Sequence, residues 1–342
     1  MIISRSRFLP LLLFFSLLTA CAGTLKTETT PTTPEPATSD ETLPNVALDP
    51  EMLYNLLLGE IAGQRGQIGV AAATLGKVAQ QTRDPRVVER ATLASLYAKR
   101  YDEAITSAQL WVELRPREPE AREALITALL ELDRVAEAKS QFAALFVLDE
   151  TRQNLDQAYL RAAAVLGRAS NRAAAVDVMQ SLVALNPQRP AAHFSMGHLW
   201  VRGGDLEQAL ASADEALKWR PDWEEAALFK ARILLSQKDS QKARAFYESF
   251  LASNRGATSI RLNYARFLID QKEWQQALDE FKRVAAQAPD DADTLYAVGL
   301  LSLQNNRLDE AGKYLKRALE LRPQNDQARL YLGQVAEQNR NY

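Results

Sequence analysis

The sequence predicts an all-α protein, a solenoid of about eight helix pairs followed by one terminal helix. The main observation is an alanine that recurs every 33 to 37 residues, once in the second helix of each predicted pair. A bulky side chain follows five of these alanines after four residues, and a proline follows five of them after twelve. A small residue lets two helices approach, a bulky one fills the space beside it, and proline ends a helix. The alanines are Ala71, Ala104, Ala138, Ala175, Ala209, Ala243, Ala277 and Ala311.

Residues 1–20 have the layout of a secretory signal peptide. Arg5 and Arg7 precede an apolar run at 8–18, which is shorter than the roughly 18 to 20 residues that a membrane-spanning helix needs. The run ends at Leu18, and Thr19, Ala20 and Cys21 follow; Cys21 is the only cysteine in the chain. We therefore expect cleavage rather than a permanent spanning helix.

The four residues that end in Cys21 resemble the signal of bacterial lipoproteins. The resemblance implies that Cys21 becomes the mature N-terminus and carries acyl chains such as palmitate. Several chains together would anchor the protein durably in a membrane. With Ala22 rather than aspartate after the cysteine, the resemblance also implies the outer membrane, with the protein facing the periplasm.

Residues 21–48 form the second predicted segment, a lipidated N-terminus and tether. Threonine and proline dominate it, and large apolar residues are almost absent. Such a composition cannot bury enough surface to offset the entropy of ordering the chain, so we expect a disordered tether. The helical array is expected over 49–342.

The first predicted helix is apolar on too many sides for an ordinary surface helix. Asp49 is a candidate N-cap and Pro50 suits the first helical position. The apolar residues that follow cover an arc of roughly 240° at 100° per residue, against a usual stripe somewhat above 100°. We expect one side to pack on the next helix and the other to bind a protein. The alternatives are self-association and burial under the tether. The candidate residues are Leu53, Tyr54, Leu56, Leu57 and Ile61.

Two copies of the repeat contain further characteristic residues besides the recurring alanine. Because of these residues, the array resembles tetratricopeptide repeats. One has Gly197, Trp200 and Pro221 around its alanine; the other has Gly299 and Pro323. The resemblance implies a right-handed superhelix with the first helix of each pair on the concave face. Each repeat then contacts mainly its neighbours and the array offers a long groove. The last helix, at about 326–340, is either a cap or the start of a truncated repeat.

A second periodic set marks the predicted groove. The residues at the fifth position of the first helices recur every 34 residues, and in this family that position tends to face the groove. Basic residues and a histidine stand four positions further on. The set predicts an apolar groove with a basic middle, suited to an extended peptide with apolar side chains and a carboxylate. The alternative is that the apolar set packs only between neighbouring helices. The candidate groove residues are Leu160, Phe194, His198, Leu228, Arg232, Leu262, Arg266 and Tyr296.

We expect no catalysis, cofactor or metal. His193 and His198 are the only histidines, and they lack the spacing and the glutamate of a zinc-protease helix. The net charge of −2 comes from interleaved cations and anions, which is typical of solvated helix surfaces, so we expect no nucleic-acid partner either.

Part of this chain resembles a group of proteobacterial lipoproteins. The residues that carry the resemblance are the stretch from Leu53 to Leu57, then Gly63 and Arg65, and then Asp84 and Pro85. These are tetratricopeptide adaptors of a periplasmic carboxyl-terminal processing protease. The resemblance implies that the first helices bind the protease and that the groove presents protein substrates such as cell-wall hydrolases. One alternative is a pilotin-like or envelope-assembly lipoprotein that binds a secretin or a pilus component. Another is a peptidoglycan-modifying enzyme.

Overall fold

Paired α-helices form the whole of the described structure, a computed structural model that covers residues 44–47, 49–148 and 154–340. Within these ranges there is no strand. Eight pairs precede a last, unpaired helix, and all belong to one structural unit that begins at Pro44. The helices are α1 (Pro50–Gln64), α2 (Ile68–Thr82), α3 (Pro85–Tyr97), α4 (Tyr101–Leu114), α5 (Pro119–Glu131), α6 (Val135–Val147), α7 (Leu155–Leu166), α8 (Arg172–Leu185), α9 (Pro190–Gly203), α10 (Leu206–Trp219), α11 (Glu224–Ser236), α12 (Ser240–Ser253), α13 (Thr258–Asp270), α14 (Trp274–Gln287), α15 (Ala292–Gln304), α16 (Leu308–Leu321) and α17 (Asp326–Arg340). The predicted all-α solenoid of eight pairs and a terminal helix is confirmed.

The three sequence signals have the structural roles expected of them. All eight recurring alanines lie on the even-numbered helices and are buried, with at most 3% of their surface exposed. The bulky residues four positions later are buried as well. Each of the five prolines stands two residues after the last residue of a second helix, as Pro221 does after α10. Proline lacks an amide hydrogen and disfavours helical backbone in the residue before it, so the helix stops there.

Close helix contact also depends on two glycines. A Cβ atom at Gly197 would lie 2.8 Å from Cε1 of Phe229, and one at Gly299 would lie 2.7 Å from Cγ of Leu315. Real Cβ contacts are not that short, so a larger residue at either position would push helices apart. Gly197 and Gly299, which belong to the repeat pattern, therefore allow neighbouring helices to pack closely.

A left-handed residue turns the chain inside most pairs. Gly66 and Gly204 have φ values of 74° and 83°. At the equivalent place in the other pairs stand non-glycine residues with φ between 57° and 63°, namely Lys99, Asp133, Lys238, Lys272 and Asn306. The fourth pair is the exception, with a longer turn between α7 and α8. Each of these five residues accepts backbone strain to keep the two helices of its pair adjacent.

The first helices of successive pairs contact one another. Direct contacts join α3 to α5, α5 to α7, α7 to α9, α11 to α13 and α15 to α17. Residues at the same position of successive first helices therefore lie along one face of the array. This arrangement is what brings the predicted groove residues together.

The terminal helix α17 covers the last pair. Ala328 and Val335 are buried against Ala311 and Leu315 of α16. The opposite side of α17 is exposed, and Leu330 has 71% of its surface open to solvent.

Candidate functional site: a helix face and a groove

The first helix divides its apolar residues between packing and solvent. Asp49 accepts a hydrogen bond from the Met52 amide at 2.7 Å, which confirms the predicted N-cap. The buried side consists of Met52, Asn55, Gly59 and Ala62, and it packs on α2. Gly59 permits this approach, since a Cβ there would lie 2.7 Å from Cγ of Leu75.

Four of the five residues predicted to bind a protein lie on the exposed side of α1. Leu53, Tyr54, Leu57 and Ile61 have between 43 and 63% of their surfaces exposed, and they form what we call the α1 face. Leu56, the fifth, is half-buried and packs against the core that α1 shares with α2 and α3. The structure thus separates Leu56 from the other four.

Two exposed residues of α3 were missed by the sequence analysis. Leu93 and Tyr97 have 48 and 84% of their surfaces exposed. They lie on the same side of α3 as Arg90, which forms an ion pair with Glu60 of α1. The signal was present in the sequence, because Arg90, Leu93 and Tyr97 follow helical spacing. Leu93 and Tyr97 add exposed apolar surface on the helix that this ion pair joins to α1.

The predicted groove residues differ in how far they are exposed. Leu160 is the most exposed of the apolar set, while Leu228, Leu262 and Tyr296 are half-buried against the neighbouring core. Tyr296 also donates a hydrogen bond to Gln327 of α17 at 3.2 Å. These residues therefore serve the packing of adjacent repeats and keep part of their surface open.

Phe194 is the floor of the groove rather than a free contact residue. It is 9% exposed, and its ring centroid lies 4.6 Å from that of His198, 4.7 Å from that of Trp223 and 5.4 Å from that of Phe229. The Arg220 guanidinium stacks over Trp223 at 4.6 Å and also pairs with Asp156 at 2.8 Å. The aromatic cluster, together with the Arg220–Asp156 ion pair beside it, thus joins the fourth, fifth and sixth repeats.

His198 lies within that cluster and beside a cation. Its ring centroid lies 4.4 Å from that of Phe229. Burial lowers the pKa of His198 below the usual value of a histidine, and the charge of Arg232 lowers it further. The imidazole is consequently neutral near pH 7, and the positive charge of the central groove comes from arginines. Arg232 and Arg266 are exposed and pair with no carboxylate of the described residues.

A separate cavity of about 870 Å³ lies between α12 and α14, over α13. At its base Arg261 pairs with Glu280 at 2.6 Å, and the two side chains are only 6 and 11% exposed. Tyr264 donates a hydrogen bond to Glu248 at 2.8 Å, and burial together with that carboxylate raises the pKa of the tyrosine. None of the predicted groove residues lines this cavity.

The part of the chain that the structure describes contains no cluster of three or more residues able to hold a metal ion. Across the same residues, no helix combines the length and apolar character needed to cross a membrane. The predicted signal peptide, Cys21 and most of the predicted tether lie outside the described residues.

A row of helix pairs with an open groove along the first helices defines an α-helical repeat scaffold. Family models described as tetratricopeptide repeat match residues 166–233, 234–299 and 296–342. Together these matches run over 166–342, just over half of the chain. The chain belongs to the tetratricopeptide repeat family, and it is a protein-interaction scaffold.

Three curated relatives are similar to parts of this chain. TPR repeat-containing protein PA4667 of Pseudomonas aeruginosa is 27% identical over 215 residues, which is 63% of this chain and 36% of the relative. Type IV pilus assembly protein PilF of the same organism is 24% identical over 153 residues, 44% of this chain and 61% of the relative. Human mitochondrial import receptor subunit TOM70 is 28% identical over 166 residues, 46% and 27% of the two chains. The chain spans only 27 to 61% of the length of these relatives.

Two solved structures are similar to parts of this chain. YrrB, described as a TPR protein with an unusual peptide-binding site, gives a TM-score of 0.37 at 18% identity, over 52% of this chain and 93% of YrrB. MamA gives a TM-score of 0.37 at 16% identity, over 46% of this chain and 92% of MamA.

Proposed function

We propose that this protein is an outer-membrane-anchored periplasmic adaptor. It binds a carboxyl-terminal processing protease through the α1 face and presents protein substrates, such as cell-wall hydrolases, in its groove. The scaffold performs no chemistry itself. The lipid on Cys21 holds it at the membrane where protease and substrates meet.

The observation that carries this proposal is the α1 face. Its four large apolar side chains are neighbours on one helix, and they are exposed although the other side of that helix is fully packed. A contiguous exposed apolar patch usually marks an interaction site. Tyr54 adds an aromatic ring with a polar hydroxyl, a combination enriched where proteins bind one another.

The groove supplies the second surface that an adaptor needs. The predicted groove residues belong to the first helices of the fourth to eighth pairs, and the central part of this groove combines apolar side chains with unpaired guanidinium groups. A partner bound at α1 would leave it open. Two partners on one scaffold are thereby held at high local concentration.

The similarity to PilF favours a second candidate function. PilF is a type IV pilus assembly protein, and the similarity covers 44% of this chain. In that case the α1 face or the groove would bind a secretin or a pilus component, and the protein would be a pilotin-like assembly factor. Both functions use the lipid anchor, so the bound partner distinguishes them.

The test is capture of partners from detergent-solubilised envelopes by the full acylated chain. The variant Leu53→Gln, Leu57→Gln, Ile61→Gln replaces the apolar α1 face with good helix formers, so α1 should stay folded. We expect the unaltered protein to retain a protease and the triple variant to lose it. Mass spectrometry identifies what is bound.

Leu330→Gln is the control, because Leu330 is a large apolar residue even more exposed than those of the α1 face but lies on α17. It should capture the same protease as the unaltered protein. Recovery of a secretin or pilus component in place of a protease would move the assignment to the second candidate. A triple variant that retains the protease, with unchanged circular dichroism, would remove the α1 face from the proposal.

A further inference from the structure

The cavity between α12 and α14 lies outside the groove, and two second helices that run in the same direction border it. Both helices end at one end of the cavity, where the side-chain amide of Gln287 donates a hydrogen bond to the Arg255 carbonyl at 3.3 Å. Both begin at the other end, where Arg244 pairs with Glu273. The residues that line the cavity therefore belong to two ends and a middle, and each part has its own chemistry.

The end of the cavity where α12 and α14 terminate is basic. Arg255 is exposed and pairs with no carboxylate of the described residues, while the exposed Arg283 pairs with Glu280. Arg261 is only 5% exposed, and its two Nη atoms donate to Glu280 and to the Arg255 carbonyl. Its Nε has no hydrogen-bond partner among the described residues. Because a buried donor without an acceptor is costly, the chemistry of this end fits a carboxylate.

The opposite end of the cavity is acidic. Glu248 of α12 and Asp279 of α14 are exposed there, and neither forms an ion pair with a cation of the described residues. Glu248 accepts its hydrogen bond from a neutral donor, the Tyr264 hydroxyl, at 2.8 Å. Arg244, which lies one turn before Glu248 on α12, is already paired with Glu273. Two carboxylates that lack a counter-charge fit an ammonium group.

The middle of the cavity is apolar and the whole space has the size of a small-molecule site. Leu251 and Ala252 of α12 and Ala286 of α14 contribute the apolar part of the lining. The volume of about 870 Å³ lies within the range of roughly 300 to 1,000 Å³ that is usual for small-ligand sites. A ligand that fills this space has an anionic end, a cationic end and an apolar middle, which is the chemistry of a short peptide with free termini.

We propose that this cavity binds a short zwitterionic peptide of about three residues. Its carboxylate meets Arg255 and Arg261, its ammonium group meets Glu248 and Asp279, and its central side chain covers the apolar middle. Arg255 follows Glu248 by seven residues, and seven residues of helix advance about 10 Å. An extended peptide of three residues also spans about 10 Å, so its two termini can reach both ends together.

This inference is independent of the proposed function, because no residue of the α1 face and no predicted groove residue lines the cavity. The test is isothermal titration calorimetry of the full acylated protein in detergent with four probes. The first is the tripeptide Ala-Leu-Ala with free termini. The second is the same peptide with an acetylated N-terminus, the third has an amidated C-terminus, and the fourth is free leucine.

We expect the free tripeptide to bind and each blocked form to bind about tenfold more weakly or worse, since each loses charge-assisted hydrogen bonds at one end. Free leucine should also bind more weakly, because its two charged groups are too close together to reach both ends.

Two conservative variants test the ends of the cavity separately. Arg255→Gln and Glu248→Gln should each weaken binding of the free tripeptide about tenfold. Both side chains are exposed, and a glutamine at 248 can still accept the hydrogen bond of Tyr264, so the fold should be kept. Arg172→Gln on α8 and Glu207→Gln on α10 are the matched controls, because they remove exposed charges away from the cavity and should leave the affinity unchanged.

Three results would overturn the proposal. Equal affinity for the free tripeptide and either blocked form would show that one end of the cavity does not recognise its terminus. Equal losses in the cavity variants and the matched controls would show that binding occurs elsewhere. No heat of binding at millimolar tripeptide would remove the site altogether. The α1 triple variant should bind the tripeptide normally, so capture of a protease and binding of the peptide can fail independently.

Discussion

At the residue scale, His198 couples the stability of the array to pH. Its imidazole is packed against Phe194 and Phe229 and stands near Arg232, so the folded protein disfavours its protonation. The folded-state pKa is below the unfolded-state value of about 6.5. Stability from this group is present above that value and is lost as the pH falls through the folded-state pKa.

We predict that the denaturant midpoint of the unaltered protein falls between pH 7.5 and pH 5.5 by more than that of His198→Gln. Arg232→Gln should also reduce the fall, since it removes the neighbouring charge. Urea unfolding followed by circular dichroism at both pH values measures the difference. An identical pH response in the unaltered protein and His198→Gln would contradict this role of His198.

Single residues also show which features the sequence can predict. The recurring alanines are all buried on second helices and the five periodic prolines all follow the ends of such helices, so their spacing predicted the pairs. The turn residues Lys99, Lys238 and Lys272 are left-handed, and lysine has no preference that would have predicted this. Phe194 was predicted as a groove contact because of its register, but its burial depends on Trp223 and Phe229, which come from the next repeat. The position of a residue along one helix does not show which side chains of the neighbouring repeat will cover it.

At the scale of elements, a buried ion pair joins α13 and α14. Arg261 donates to Glu280 at 2.6 Å and to the Arg255 carbonyl at 2.8 Å, and Arg283 reaches the other oxygen of Glu280. Taking such a pair out of water is costly, so it contributes little net stability, but removing one partner leaves a buried charge. The ion pair therefore determines how α13 and α14 pack and adds little to the free energy of unfolding.

We predict that Glu280→Leu destabilises the protein by about 3 to 5 kcal/mol, because Arg261 is left charged and buried. The double variant Arg261→Met, Glu280→Leu should recover most of that loss, since apolar side chains of similar size then fill the site. Urea unfolding of the two variants and the unaltered protein measures the coupling. Losses that simply add in the double variant would show that the pair does not act as a unit.

The first helix shows what helical periodicity in the sequence can predict about an element and what it cannot. Its sequence is apolar over too wide an arc, which predicted an interface, and α1 indeed exposes Leu53, Leu57 and Ile61. The sequence could not assign Leu56, which lies at the border of the arc and packs inward against the core that α1 shares with α2 and α3. Which apolar residues of α1 are buried and which are exposed depends on the positions of α2 and α3.

At the scale of the whole molecule, the proposed function depends on a membrane anchor at Cys21, which lies outside the described residues. We predict that Cys21→Ser moves the protein from the membrane fraction to the soluble periplasmic fraction, because the proposed anchor is a set of acyl chains on this cysteine. Fractionation of cell envelopes with immunodetection measures this. An Ala22→Asp variant tests the sorting step, and by the same reasoning it should stay in a membrane but leave the outer one. Full outer-membrane retention of Cys21→Ser would contradict lipidation.

In the proposed function, two separate surfaces of one scaffold bind two different kinds of protein. Photo-crosslinking in living cells tests it most directly, with a photoreactive phenylalanine in place of Leu57 on the α1 face or of Leu160 in the groove. Leu185, an exposed residue at the end of α8, is the control position. We expect position 57 to crosslink to a periplasmic protease, position 160 to other envelope proteins and position 185 to neither. Crosslinks from position 57 only to a second copy of the chain, or the same proteins at all three positions, would contradict it.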